Sequence, residues 1–191
     1  MAKLYFQYWA MGAWKSLELI KVAYNYTERW KKVIVFNSKL DTRFTNWEVA
    51  SRSWSKIASI SFDDKTDLYY EITKTESRPD CVLVDESQFL KKKQVEECAK
   101  IVTEMNIPVI CYWLRTDFLW NLFEWSKRLM EIAQKIEEIK TICWCWDKAT
   151  MNARISEWKM CTAWDQIEIW ENDRYISLCL KHYNEWKLMD K

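Results

Sequence analysis

A chain of 191 residues with a single glycine, Gly12, is restricted in the turns it can make. An average composition of ~7% would supply about thirteen. Glycine reaches φ > 0 without steric penalty, so helix ends, tight hairpins and loops that hug a ligand must here be built by residues with side chains. Tryptophan is in excess instead, with 14 copies. Every motif that depends on glycine has to be weighed against that exchange.

The remaining composition is ordinary. The length fits one domain, or one domain with a small appendage. With 49% hydrophobic residues, 30% charged residues and a formal charge of +1, neither a disordered tail nor an electrostatic grip on nucleic acid is expected. Met1 leads directly into a short apolar stretch without signal-peptide anatomy, and no later segment reads as membrane-spanning. The expectation is a cytoplasmic protein with no membrane partner. Cys81, Cys98, Cys111, Cys143, Cys145, Cys161 and Cys179 are odd in number, and three lie in apolar or helix-like runs. Reduced thiols and a metal fit that pattern better than disulfides.

Four runs rich in β-branched and aromatic residues read as buried strands: Leu4–Tyr8, Val33–Phe36, Cys81–Asp85 and Val109–Leu114. Leu19, Val22, Ala23 and Tyr26 share one helical face, as do Val95, Cys98, Ala99 and Val102. A further helix is expected through Phe123–Ala133, with a strand in Lys56–Phe62 and a short helix at Asp67–Thr73. This alternation predicts an α/β fold with a mostly parallel sheet over 1–138 and a crevice at the carboxyl ends of its strands. From about Ile139 the pattern changes to short alternating stretches, a second and smaller module over 139–191. Asn37–Ser55 and Ser156–Asp173 are the long loops.

Three constellations carry chemistry. After the first strand, Trp9-Ala10-Met11-Gly12-Ala13-Trp14-Lys15-Ser16 aligns with the phosphate-loop pattern G-x-x-x-x-G-K-[ST], with Trp at both glycine positions. Taken alone, a Lys-Ser pair is more often an ordinary first helical turn; the strand before and helix after give it a phosphate-binding context. Asp85 and Glu86 end a buried strand, where an acid that organises magnesium stands beside a catalytic one, although an isolated pair is also an ordinary solvated strand end. Cys143, Cys145, Cys179 and His182 supply two close pairs of ligands for a closed, structural tetrahedral zinc site, the alternative being plain core cysteines around Trp144.

The order of these features resembles the type II thymidine kinases, close to the enterobacterial kind, over nearly the whole chain. The likeness rests on Leu4-Tyr-Phe into Ala10-Met11, Tyr24-Asn-Tyr-x-Glu28-Arg29, Asp41-Thr-Arg43-Phe44, Val82-Leu-Val-Asp-Glu86-x-Gln88-Phe89-Leu90, Ile107-Pro-Val-Ile-Cys-Tyr112, Leu114-Arg-Thr-Asp-Phe118, Lys140-Thr-Ile-Cys-x-Cys145 and Asn172-Asp-Arg-Tyr175 leading to Cys179-x-Lys-His182-Tyr183. It implies a P-loop nucleotide-kinase core that uses ATP and magnesium to phosphorylate the 5′-hydroxyl of thymidine. Lys15 would hold phosphates, Ser16 and Asp85 would organise the metal, and Glu86 would accept the hydroxyl proton. Asp41 and Arg43 match a loop near the phosphates. Met11, Phe89, Leu114, Phe118 and Phe123 would form the base pocket, with Tyr175 on thymine and main-chain groups of the 160s loop reading its edge. The resemblance also implies a homotetramer.

All Trp except Trp144 fall at or beside places where that family carries Gly, which reads as an altered chain. Gly12 stands where the family has Asn, and Leu17 where it has Thr. Indoles in place of the loop glycines threaten both the curvature and the inward N–H groups that cradle phosphate. Reduced turnover is therefore expected, the alternative being an inactive scaffold that keeps the fold and the zinc site.

Overall fold

The computed structural model describes residues 1–12, 15–39, 48–50, 56–156, 159–161 and 175–188. In chain order the first elements are β1 (Leu4–Trp9), α1 (Lys15–Thr27), β2 (Val33–Ser38), β3 (Glu48–Ala50), β4 (Lys56–Ala58), β5 (Ile60–Phe62), α2 (Leu68–Thr73), β6 (Cys81–Val84), α3 (Lys92–Met105), β7 (Val109–Leu114), α4 (Glu124–Ile132) and β8 (Lys135–Glu138). They continue with β9 (Thr141–Ile142), β10 (Lys148–Ala149), β11 (Met151–Ser156), β12 (Lys159–Met160), β13 (Tyr175–Leu178) and α5 (Leu180–Asn184). Two units emerge. One comprises Met1–Gln7, Trp14–Trp113 and Glu124–Glu137; the other comprises Tyr8–Ala13, Leu114–Phe123 and Glu138–Lys191.

In the first unit the sheet runs β5-β2-β6-β7-β1-β8, and the β2–β5, β2–β6 and β6–β7 pairs are parallel. All four residues of β6 are fully buried, which is why the run from Cys81 is apolar throughout instead of alternating. Val82 pairs with Ile34 on one side and Val109 on the other, and the Asp85 N–H continues the ladder to the Phe36 carbonyl at 2.9 Å. The expected strand in Lys56–Phe62 divides in two: β4 pairs antiparallel with β3, while β5 joins the parallel sheet.

Helix α3 buries Val95, Cys98 and Val102 of the face its spacing predicts, with Ile101 beside them, while Ala99 is only half-buried. Each buried aliphatic side chain of this kind stabilises by about 1.5–3 kcal/mol relative to exposure. Gln94 accepts from the Lys91 N–H at 2.9 Å and donates to the carbonyls of Asp63 and Thr66, both at 2.8 Å. That amide joins the start of α3 to the turn before α2. Asp67 caps α2 by accepting from the Tyr70 N–H, while the buried Glu97 accepts from the Leu68 N–H at 2.9 Å. Two carboxylates thus satisfy orphan amides at one helix N-terminus, where the dipole favours negative charge.

In the second unit β11 pairs antiparallel with β12 and β13, and Cys143, Ala149, Ala153, Leu178 and Cys179 form its core. The missing glycines show themselves in the turns. Trp30, Trp120, Trp146 and Trp186 all have positive φ, at 58°, 70°, 73° and 56°. Trp30 and Trp186 follow α1 and α5 in the same arrangement: the Lys31 N–H reaches the Tyr26 carbonyl and the Lys187 N–H reaches His182, with the preceding tryptophan bonded three residues back. This is the Schellman ending, whose left-handed residue is usually glycine. Trp120 and Trp146 each complete a three-residue reversal, closed by Asp117 N–H to the Asn121 carbonyl and by Cys143 N–H to Asp147, where a left-handed third residue is again required.

A left-handed conformation costs a side-chain-bearing residue roughly 1–2 kcal/mol. Trp30 is 97% exposed and Trp146 is 82% exposed, so little packing offsets that strain, whereas Trp120 packs on Tyr183 with ring centroids 5.2 Å apart. Trp30→Gly and Trp146→Gly are therefore expected to stabilise by about 1 kcal/mol each, raising Tm by ~2–4 °C in calorimetry, and Trp120→Gly by less.

Candidate active site and metal centre

Strand β6 delivers Asp85 and Glu86 at its carboxyl end, 3% and 2% exposed. Burying two adjacent acids is unfavourable unless their oxygens are engaged. Asp85 Oδ1 accepts the Glu86 N–H at 2.9 Å, and Gln88 Nε2 donates to Glu86 Oε2 at 2.6 Å. Glu86 is itself left-handed, at φ 51° and ψ 39°, and leads into a 3-10 turn over Ser87–Phe89. The Ser87 hydroxyl donates to the Tyr112 carbonyl at 3.1 Å and fastens that turn to β7. The solvated strand end that an isolated acid pair allows is thus not what forms. Lys15 and Ser16 open α1, and Phe89 is half-buried in the 3-10 turn.

The second unit holds the loop after β1. Trp9 and Ala10 are buried, Met11 is half-buried, and Gly12 has φ 84°, so the single glycine sits where its freedom is used. The Met11 N–H donates to Asn152 Oδ1 at 2.7 Å, and Asn152 Nδ2 donates to the Thr116 carbonyl at 3.0 Å. One buried amide therefore joins the loop after β1 to the segment after β7. Leu114, Phe118 and Phe123 are buried, and the Arg154 guanidinium lies 5.6 Å from the Phe118 ring centroid. Arg154 pairs with Tyr175 across β11–β13; the Tyr183 hydroxyl donates to the Phe118 carbonyl. Burial raises the Tyr175 phenol above its ordinary range, so it remains protonated at neutral pH. Asp117 Oδ1 accepts from the N–H groups of Leu119 and Asn121, shaping the reversal at Trp120.

Asn152 and Arg154 escaped the sequence reading, and Asp117 stood within the Leu114–Phe118 motif without a role of its own. Buried polar residues at alternating positions of a strand were the available signal for the first two. Ala13, Trp14, Asp41, Arg43 and the 160s loop lie outside the described residues, and for Lys15 only the backbone is described.

Cys143, Cys145, Cys179 and His182 converge with all ligand atoms within 4.8 Å of one another. A tetrahedral zinc with Zn–S near 2.3 Å and Zn–N near 2.0–2.1 Å has S···S edges of about 3.8 Å and S···N edges of about 3.5 Å. Cys145 Sγ and Cys179 Sγ are 3.8 Å apart, and His182 Nδ1 lies 3.5 Å from Cys143 Sγ and 3.4 Å from Cys179 Sγ. The donor set and these three of its six edges fit zinc. The reversal at Trp146 presents Cys143 and Cys145, and α5 carries His182 just after Cys179.

Burial works against the Cys143 thiolate, but the N–H groups of Cys145 and Cys179 and the His182 ring bring its pKa down to about 6. The Asp147 N–H favours the Cys145 thiolate, yet burial and the neighbouring sulfurs push it up to about 11. A bound dication would favour the thiolate form at both cysteines by offsetting the repulsion between neighbouring sulfurs. Trp144 stacks on the His182 ring at 4.0 Å and 20°. Metal analysis of purified protein is expected to find one zinc per chain, lost in Cys179→Ala with a fall in Tm of ~10 °C or more. Full-length protein without zinc but with unchanged Tm would contradict this assignment.

Comparison with known proteins agrees with these features. The thymidine kinase family model matches residues 2–183. The chain is 45% identical over 184 residues to a thymidine kinase of Lactococcus lactis subsp. lactis, covering 96% of this chain and 97% of that protein. Thymidine kinases of Streptococcus pyogenes serotype M3 and Streptococcus agalactiae serotype Ia are 46% and 44% identical over the same coverage. With a family model matching nearly the whole chain and relatives of this identity and coverage, the chain belongs to the thymidine kinase family.

Proposed function

We propose that the chain binds ATP and thymidine and transfers the γ-phosphoryl group to the thymidine 5′-hydroxyl. The observation that carries this reading is the buried Asp85–Glu86 pair at the carboxyl end of β6, the place where a parallel sheet presents its reacting groups. Glu86 takes the hydroxyl proton, the 5′-oxygen bonds to the γ-phosphorus, and the bond from that phosphorus to the β–γ bridging oxygen breaks to release ADP. Lys15 and the amides of residues 9–14 cradle the phosphates, and Asp41 and Arg43 serve the same end. Ser16 and Asp85 would hold magnesium, which neutralises charge on the transferred group. Met11, Phe89, Leu114, Phe118, Phe123 and Tyr175 bind the nucleoside, with the 160s loop over the base.

Zinc held by Cys143, Cys145, Cys179 and His182 is structural, since four protein ligands leave no position for substrate. Among the described residues no helix is long and apolar enough to cross a membrane. A cytoplasmic homotetramer completes the proposal.

Turnover is impaired because Trp9 and Trp14 occupy the glycine positions of the phosphate loop. Phosphoryl transfer depends on placement and preorganised charge, and a 1 Å displacement costs roughly 10²-fold. The buried Trp9, the last residue of β1 before the loop, also supports the competing reading of a folded scaffold without turnover. In an assay of magnesium- and ATP-dependent thymidine monophosphate formation, Trp9→Gly/Trp14→Gly is expected to exceed the parent by ~10²-fold or more, and Glu86→Gln in that background to lose at least ~10²-fold. Reverted protein that folds but does not turn over would favour the scaffold.

A further inference from the structure

We infer that Gln88 is a positioning residue for the Glu86 carboxylate, an inference that rests on Glu86 being the proton acceptor. The contact is built into the 3-10 turn: the Phe89 N–H bonds to the Glu86 carbonyl, so residues 86 and 88 are held on one tight reversal, and Gln88 Nε2 reaches Glu86 Oε2 at 2.6 Å. A carboxylate oxygen only accepts, so the amide end facing it is the NH2 group and the carbonyl end points elsewhere. That carbonyl oxygen, Gln88 Oε1, is buried without a hydrogen-bond partner among the described residues, in a residue 4% exposed.

An amide buried with one end unsatisfied is a poor choice for stability alone. What it supplies is orientation. Glu86 sits on left-handed backbone with a side chain of three torsions, and the short bond from Gln88 to Oε2 restricts the rotation of its carboxyl group. A neutral donor does this without the added positive charge of Lys or Arg, which would hold the carboxylate ionised and weaken it as a base. A proton acceptor is effective only when its oxygen is held within hydrogen-bond reach of the hydroxyl, so the benefit belongs to the chemical step rather than to nucleoside binding.

Gln88→Met keeps the side-chain length and removes both polar ends. In the parent and in Trp9→Gly/Trp14→Gly, it is expected to lower kcat by ~10- to 10²-fold with KM for thymidine changed less than about twofold and Tm unchanged or raised. A merely structural role would instead lower Tm and leave kcat intact. Independently of turnover, the Gln88 side-chain amide protons, assigned by their loss in Gln88→Met, are expected downfield in a 1H–15N spectrum and to move upfield in Glu86→Ala. Turnover that survives Glu86→Gln would sink the base assignment and this inference with it. Turnover lost in Glu86→Gln but unaltered in Gln88→Met would sink this inference alone. If neither background turns over, the spectrum decides, and amide protons indifferent to Glu86→Ala would overturn the contact.

Discussion

Left-handed backbone is the constraint on which the rest of this structure depends. The chain must reverse after α1, between β7 and α4, between β9 and β10, and after α5, and at each point one residue takes φ between 56° and 73°. All four are tryptophans. The hydrogen bonds of these reversals form with ordinary lengths, so the geometry is imposed by the fold and the residue type accommodates it. At roughly 1–2 kcal/mol each, the four together reach several kcal/mol, a large share of the 5–15 kcal/mol by which domains are usually stable. The positions are not incidental. The reversal at Trp146 presents two of the four metal ligands, that at Trp120 is shaped by Asp117 beside Phe118, and that at Trp186 closes the helix carrying His182.

The same geometry recurs at Glu86, where no glycine is in question. A charged residue on strained backbone persists only when its surroundings over-determine it. Here the Asp85 carboxylate, the Gln88 amide and the Ser87 hydroxyl fix the turn from three sides. The outcome is a row of buried polar residues, Asp85 to Gln88, at the end of a wholly apolar strand. In the second unit Cys143, Cys145, Cys179 and His182 meet a comparable demand: three sulfurs and an imidazole brought this close are crowded unless a dication joins them.

Much of this was legible in the sequence. Continuous β-branched runs identified β2, β6 and β7 because strands buried on both faces need no polar alternation, and the Val95–Val102 spacing identified α3. The convergence of Cys143, Cys145, Cys179 and His182 was legible from their chemistry and their spacing in close pairs. Asn152 and Arg154 were not, because their importance lies in pairings across β11–β13 and across loops far apart in sequence. Gln88 stood inside a quoted motif, yet only the distance to Glu86 gives it a task. The division of Lys56–Phe62 between two sheets was illegible for the same reason, since partner choice is a tertiary property.

The central claim, a thymidine kinase weakened at its phosphate loop, is tested most directly by calorimetric titration of the parent and of Trp9→Gly/Trp14→Gly with magnesium and a non-hydrolysable ATP analogue. Binding in the reverted chain is expected to be at least ~10²-fold tighter than in the parent, with thymidine affinity little changed between them. Equal affinity for the analogue in the two proteins would contradict it, because the indoles at 9 and 14 would then leave the phosphate cradle intact.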